Sequence, residues 1–378
     1  MHNSSNFSGV RIAINTRLLI PGKLEGIGRF TYETIKRLAH RFPEHEFHLL
    51  SDRKKDDHWQ FGKNVFQHRV FPPARRPWLF DWWFDYSVPF VLKKIKADVF
   101  VSPDAHASRR CPVPQLTVIH DINFVHYPEF MPKKYANYWN SRTVEFVKLS
   151  TRLATVSEFS RADISRTFNV ADSSIDVLCN GIDHTFAPVE EHKKEVIRDR
   201  FAQGKKYFLF LGALHPRKNV HRVVEAFNAA VEQGVESSLV IAGNKFWHYP
   251  ELDAALAKIN YRTNIRFLGH VHTADLPLLM AGAEGLVFPS LFEGFGIPLI
   301  EAEACNVPVI ASENSVMEEV SNGSAFFVNP HNIADIAQAI VRIESGERNP
   351  VLKEQHYTWE KSAELLWESI QHTLQSKK

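Results

Sequence analysis

The chain has 378 residues, 44% of them hydrophobic and 23% charged, with a formal net charge of +2. That length accommodates two domains, and the composition is that of a globular protein with too little net charge to suggest a nucleic-acid partner. The three cysteines, Cys111, Cys179 and Cys305, stand far apart with no Cys-x-x-Cys pair, which argues against a disulfide framework or a thiolate metal site.

Residues 1–9 are polar and lack the apolar core of a signal peptide, so a cytoplasmic protein is expected. Residues 10–15 read as a strand and 28–40 as a helix, followed by strands at 46–51 and 65–70. Helical spacing over 79–95 leads to strands at 98–101 and 116–120. Helical stretches at 132–150 and 158–168 precede strands at 153–156 and 175–178 respectively. A second series runs through strands at 207–211, 239–242, 265–268, 286–288 and 307–311, with helices at 220–232, 273–281 and 297–305. The last segment, 358–375, is a helix carrying Trp359, Ala363, Leu366, Trp367 and Ile370 on one face. Such alternation predicts an α/β protein with parallel sheets covered on both sides. The polar, charged stretch 189–206, entered through Pro188, is expected to join an N-terminal domain (1–188) to a C-terminal one (189–356). Ligands of such sheets bind at the carboxyl ends of the strands, which suggests a cleft where two such edges face each other.

The most informative run is Glu293-Gly-Phe-Gly-Ile-Pro-Leu-Ile-Glu301. It follows a strand-like run, its glycines let backbone approach an anion, and Pro298 can open a helix whose N-terminal N–H groups suit a phosphate. Glu293 and Glu301 would repel a phosphate held against them, so their expected partners are hydroxyls. Phosphate and polyol together describe a nucleotide sugar. An alternative is that one Glu is a loop residue and the other only complements the helix dipole. Arg217-Lys218 supply cations for a pyrophosphate, unless they are a solvated basic pair. Gly26-Ile-Gly28 with Asp52 resembles part of a dinucleotide fingerprint, but Thr31 stands in place of the third glycine, and no NAD site is expected.

With these pieces in order, the chain resembles the retaining glycosyltransferases of family 4, which have the GT-B fold of two doubly wound Rossmann-like domains facing a central cleft. Glu293-x7-Glu301 matches that family's paired-glutamate motif, and Leu211-Gly-Ala-Leu-His-Pro-Arg-Lys-Asn219 matches its first strand and phosphate loop in the C-terminal domain. Gly26-Ile-Gly-Arg-Phe30, His120-Asp121, Val156-Ser-Glu-Phe-Ser160, Asn180-Gly-Ile-Asp183 and Phe288-Pro-Ser290 add to the likeness, which spans nearly the whole chain. It implies that helix 357–378 returns to the N-terminal domain, that this domain binds the acceptor, and that the C-terminal domain binds the donor. It further implies that Lys218 contacts the donor pyrophosphate, Glu301 takes the ribose hydroxyls and Glu293 faces the transferred sugar. Backbone around Gly294, Phe295, Gly296 and Ile297 would hold sugar and phosphate, with Gly212 in the phosphate loop and Gly26 and Gly28 beneath the phosphates. Ala213 stands where many members carry arginine, and Arg217 is expected to supply that charge. His120 and Asp121 would lie near sugar and acceptor, although His120 equally suits a buried strand-end histidine. Gly243, Lys245, His270 and Val271 would lie against the nucleoside.

No Asp-x-Asp ligand pair occurs in the sequence, so a metal-independent reaction without a cofactor is expected. His45, His48, His270 and His272 match no zinc pattern. The aromatic run Trp78 to Phe84, with Tyr86 and Phe90, follows Arg75-Arg76. It could rest on an anionic membrane, joined by Lys133-Lys134 and Arg109-Arg110, and meet a lipid-linked acceptor at the inner membrane face. A helix packed on the domain core is the simpler reading of the same run. The expected activity is transfer of a sugar, mannose or similar, from a GDP- or UDP-sugar to a glycan or lipid-linked glycan in cell-surface polysaccharide synthesis. The rivals are a nucleotide-sugar 2-epimerase of the same fold and a non-catalytic nucleotide-sugar-binding subunit.

Overall fold

A computed structural model describes residues 9–22, 24, 26–244, 249–348 and 357–376. The chain forms two compact units, one of Met1–Gly181 with Trp359–Lys378, the other of Ile182–Thr358. The second unit closes on itself where Ile182 bridges Thr358 and its N–H donates to the Tyr357 carbonyl at 3.3 Å.

The first unit is built on seven parallel strands: β1 (Arg11–Asn15), β2 (Glu46–Ser51), β3 (Val65–Arg69), β4 (Val99–Ser102), β5 (Gln115–Val118), β6 (Arg152–Thr155) and β7 (Ile175–Val177). Their order is β3-β2-β1-β4-β5-β6-β7, so the direction of winding reverses between β1 and β4. The central strands are buried along their length because helices cover both faces, which is why they read as apolar runs and not as alternating patterns. The helical stretch from Pro77 to Ile95 contains a wide turn at Trp83–Ser87 and has two sides. Phe80, Trp83, Phe84, Val88 and Leu92 enter the core with Leu50 and Phe100. Trp78 (65%), Trp82 (54%), Tyr86 (46%) and Phe90 (69%) stand exposed, four residues apart, so the run is both core helix and aromatic stripe.

The second unit has six parallel strands: β8 (Tyr207–Leu211), β9 (Ser238–Ala242), β10 (Ile265–Gly269), β11 (Gly285–Phe288), β12 (Val309–Ser312) and β13 (Phe326–Val328). Their order is β10-β9-β8-β11-β12-β13, and here the reversal falls between β8 and β11. Phe208, Phe210, Val224, Phe227, Ile241 and Ile340 pack at its core. Strand β13 gave no recognisable sequence signal, being three residues long. The polar stretch expected to be a linker is instead largely a helix, Glu191–Ala202, belonging to the second unit. Of its apolar residues Ile197, Phe201 and Ala202 are buried while Val196 is exposed, and Arg198 bonds Glu284 at 2.8 Å, so charge masked its periodicity. Among the described residues no helix is long and apolar enough to cross a membrane. All three cysteines are free, and burial pushes their thiols up, to about 11 at Cys111 and about 12 at Cys179 and Cys305.

The helix Trp359–Gln375 packs on the first unit, against helix Ile27–Arg41 and strands β4 to β6. Trp367 stacks on Phe42, ring centres 4.4 Å apart, and on His45 at 4.9 Å, while Ser362 Oγ donates to the Cys179 carbonyl at 2.9 Å. Removing this indole leaves a cavity as well as lost apolar contact, so Trp367→Ala should destabilise the first unit by about 3 kcal/mol. Urea unfolding followed by far-UV circular dichroism checks this, and an unchanged midpoint would show that the helix does not anchor there.

Candidate active site

In open parallel sheets ligands gather outside the carboxyl ends of strands, where winding reverses. In the second unit that position belongs to the loops after β8 and β11, and these are the loops that carry Arg217, Lys218 and Glu293. The first loop turns at Gly212 (φ 147°) and forms a short helical turn, Pro216–Lys218, capped by His215, whose Nδ1 accepts the Arg217 N–H at 3.2 Å. Asn219, at φ 61°, ends the turn and starts helix Val220–Glu232. Its side-chain amide donates to the carbonyls of Pro289 at 3.0 Å and Pro330 at 2.6 Å, tying three loops together.

The two loops then interlock. Leu291 N–H donates to the Arg217 carbonyl at 2.8 Å, and Arg217 Nη1 donates to the Phe292 carbonyl at 2.6 Å. The same Nη1 lies 2.8 Å from Glu293 Oε2, and Lys218 Nζ lies 2.6 Å from Glu293 Oε1 and 4.7 Å above the Phe288 ring. Burial alone would raise the Glu293 carboxyl, but the charges of Arg217 and Lys218 outweigh it, with hydrogen bonds from Lys218 and Ser290, and hold it at about 2. Glu293 is therefore a fixed anion and a poor proton acceptor. Two cations and one carboxylate leave the cluster one positive charge, aimed at the strand-end surface.

The glycine-rich loop has a clear steric logic. Gly296, at φ 97°, caps helix Ile297–Ala304, whose first-turn N–H groups have no partner within the helix. Phe295 is buried edge-on to Tyr357, ring centres 5.1 Å apart. Glu301 is buried further along the same helix. A methyl group on Gly243 would sit 1.8 Å from the Gly212 carbonyl oxygen, so the loops after β8 and β9 touch backbone to backbone. Gly243 N–H also donates to the Gly269 carbonyl at 2.7 Å, which sets the His270–Val271 loop beside them. His270 is exposed there. Lys245 lies outside the described residues.

The remaining candidates belong to the first unit. Gly26 adopts φ 45° before helix Ile27–Arg41, and a methyl group on Gly28 would lie 2.7 Å from the Leu18 carbonyl oxygen. Both glycines thus serve a tight loop-to-helix entry. Phe30 from that helix packs edge-on against His120, ring centres 5.0 Å apart, which brings two of the sequence motifs together. Burial pushes His120 down to about 4 even though Asp121 opposes the shift, so its imidazole is neutral. Asp121 accepts the Asn123 backbone N–H at 3.0 Å. Asp52 accepts the Ala74 N–H at 3.0 Å, a loop-bracing role.

Sequence reasoning missed a second charged cluster, at the winding reversal of the first unit. Asn15 ends β1 and Arg17 follows it, Asp104 and His106 follow β4, and all four are buried. Arg17 Nη2 lies 2.9 Å from Asp104 Oδ2, its Nη1 donates to the Ala74 carbonyl at 3.0 Å, and its guanidinium lies 4.5 Å above the Phe80 ring. Burial would raise Asp104, yet His106 and Arg17 hold it far below the usual carboxylate range. The available signal was the position of these polar residues just past strand ends.

A family model described as Glycosyl transferases group 1 matches residues 192–364, and one described as Glycosyltransferase Family 4 matches residues 24–186. The chain is similar to O-antigen chain mannosyltransferase B of Escherichia coli, 26% identical over 343 residues covering 84% of this chain and 87% of that protein. It is 31% identical over 231 residues to O-antigen chain mannosyltransferase RfbU of Salmonella typhimurium, covering 61% of each. Among solved structures, Anabaena HepE in complex with UDP and glucose superposes with a TM-score of 0.74 at 16% identity, covering 96% of this chain and 99% of that one. WaaG, a glycosyltransferase involved in lipopolysaccharide biosynthesis, gives 0.68 at 16% identity, over 97% and 94%. At such identities the structural likeness speaks for the fold, and it bears out the expected GT-B class.

Glu293 offers a direct check. Its carboxyl is depressed in the folded state, so the stabilisation is present above the unfolded value near 4.5 and is lost as pH falls through about 2. A shift of that size corresponds to roughly 3 kcal/mol. Melting temperature measured from pH 5 to pH 2 should fall less steeply in Glu293→Gln than in the parent. Parallel curves would show that the carboxylate is not held by the two cations.

Proposed function

The chain belongs to the glycosyltransferases of family 4, and on that premise we propose that it transfers a hexose from a nucleoside-diphosphate sugar to a glycan acceptor with retention of configuration and without a metal ion. The observation that carries the reading is the Arg217–Lys218–Glu293 cluster at the winding reversal of the second unit. As the bond from the sugar's anomeric carbon to the diphosphate breaks, its electron pair passes to the leaving oxygen. Arg217, Lys218 and the first N–H groups of helix Ile297–Ala304 stabilise the charge that develops there. The acceptor hydroxyl forms the new bond on the same face, and its proton passes to the leaving diphosphate oxygen. Glu293, held ionised at about 2, is unsuited to take that proton and instead accepts hydrogen bonds from the sugar's hydroxyls.

Glu301 binds the ribose hydroxyls, and the loops holding Gly212, Gly243, His270 and Val271 line the nucleoside. Retention rests on the family assignment. The mannosyltransferase relatives favour mannose as the sugar and a cell-surface polysaccharide as the product. The first unit takes the acceptor, with His120 and Asp121 at its strand ends, and the exposed aromatic stripe with Arg75 and Arg76 marks the edge that meets a membrane-borne acceptor.

Turnover with GDP- and UDP-sugars, measured with and without EDTA, tests this reading. EDTA should leave the rate unchanged, and Glu293→Ala or Lys218→Ala should lower kcat by at least about a hundredfold. Loss of activity in EDTA contradicts metal independence, and near-normal transfer by both variants contradicts the residue roles.

A further inference from the structure

Glu303 is a buried acid that the reaction above does not use. It lies in the last turn of helix Ile297–Ala304, 6% exposed. Two residues along a helix turn roughly 200° about its axis, so Glu303 and Glu301 leave the helix on opposite sides. Glu303 Oε1 lies 2.7 Å from Ser324 Oγ, and the same Oγ lies 2.7 Å from the Ser321 carbonyl oxygen. A hydroxyl carries one proton, and a carbonyl can only accept. The Ser324 hydroxyl therefore donates to Ser321, whose carbonyl has a second lone pair for the Ser324 backbone N–H at 2.9 Å. That leaves the short contact with Glu303 a hydrogen bond only if the carboxyl itself donates. The geometry makes Glu303 a carboxylic acid, and its proton links the helix to the turn before β13.

The surroundings favour the same state. Carbonyls crowd the last turn of a helix, and the negative end of its dipole opposes an anion there. Helices Leu276–Ala281 and Val316–Val320 and strands β11 and β12 pack on this helix. Helix Leu276–Ala281 and both strands carry no titratable side chain, and helix Val316–Val320 carries only Glu318 and Glu319. Glu301 is the one other charge within the helix itself, and the thiol of Cys305 beyond its end is pushed up to about 12. None of these elements brings a cation. Glu293 differs in this respect, since Arg217 and Lys218 outweigh its burial. Burial pushes the Glu303 carboxyl up to about 7, against the contact with Ser324.

We propose that Glu303 is a positioning residue, a neutral acid that ties helix Ile297–Ala304 to the turn at Ser321–Ser324 and so holds Glu301 and the helix's first N–H groups in place for the donor. Loss of its proton sets a carboxylate against an oxygen whose own proton is committed, which breaks the tie. Donor affinity is then level below neutral pH and falls above it. The inference rests on the donor reading for the ligand it affects, and not for the protonation itself.

Glu303→Gln separates the two parts, because an amide N–H donates to Ser324 as the acid does and does not ionise. The first measurement needs no ligand. A carboxyl raised above its unfolded value near 4.5 stabilises the fold fully below that value and loses the contribution as pH rises through about 7. The melting temperature of the parent minus that of Glu303→Gln should therefore fall from pH 5 to pH 7 and level off above. A difference that stays constant over this range overturns the proton. The second measurement is isothermal titration with GDP-mannose and UDP-glucose, whose phosphates do not titrate between pH 6 and pH 8.5. The parent should bind about tenfold more weakly at pH 8.5 than at pH 6, and Glu303→Gln equally at both. Glu303→Ala, which makes no tie, should bind weakly at both. Parent affinity that ignores pH, or a pH dependence that Glu303→Gln retains, overturns the positioning role. If the parent binds neither nucleotide sugar at any pH, the donor reading fails and the positioning role with it, while the melting comparison still decides the proton.

Discussion

The sharing of one buried carboxylate, Glu293, between Arg217 and Lys218 is the interaction on which the site depends. Both cations come from the loop after β8 and the carboxylate from the loop after β11, and the strand order makes those two strand ends neighbours. Without Glu293, two cations would face each other in a poorly solvated position. Without the cations, a buried carboxylate would be left unpaired, a loss that typically costs several kcal/mol. The charge pattern proposed to receive a diphosphate is thus built into the fold, and backbone bonds between the loops fix its geometry.

That arrangement explains why the surrounding residues are so constrained. Gly243 lets two loops touch where a side chain would collide with the Gly212 carbonyl, and Gly212 holds a φ of 147°. Asn219 ties the phosphate loop to the carbonyls of Pro289 and Pro330. Gly296 turns the chain into the helix that carries Glu301. The first unit repeats the logic in a drier form: Arg17 and Asp104 join the loops after β1 and β4 at its own reversal point. There the pair is buried, with the guanidinium over the Phe80 ring, and acts as a brace.

Much of this was legible in the sequence, for identifiable reasons. Continuous apolar runs marked the buried parallel strands, and paired glutamates, glycines and adjacent cations at strand ends marked the candidate site. Other features were hidden. Helix Glu191–Ala202 exposes mostly charge, so its three apolar anchors gave no periodic signal. Strand β13 is too short to read. The stripe at Trp78, Trp82, Tyr86 and Phe90 was visible as composition, but only the structure separates its exposed face from the buried Phe80 and Trp83.

The central claim is that Glu293 is paired with Arg217 and Lys218 and so competes with a diphosphate for these two cations. Affinity for a nucleoside diphosphate lacking the sugar, compared among the parent, Lys218→Ala and Glu293→Gln, tests it most directly. Lys218→Ala should weaken binding at least tenfold, because a phosphate partner is gone. Glu293→Gln should strengthen it, because the carboxylate that competes for both cations is removed. Weakening of comparable size in both variants would contradict the account.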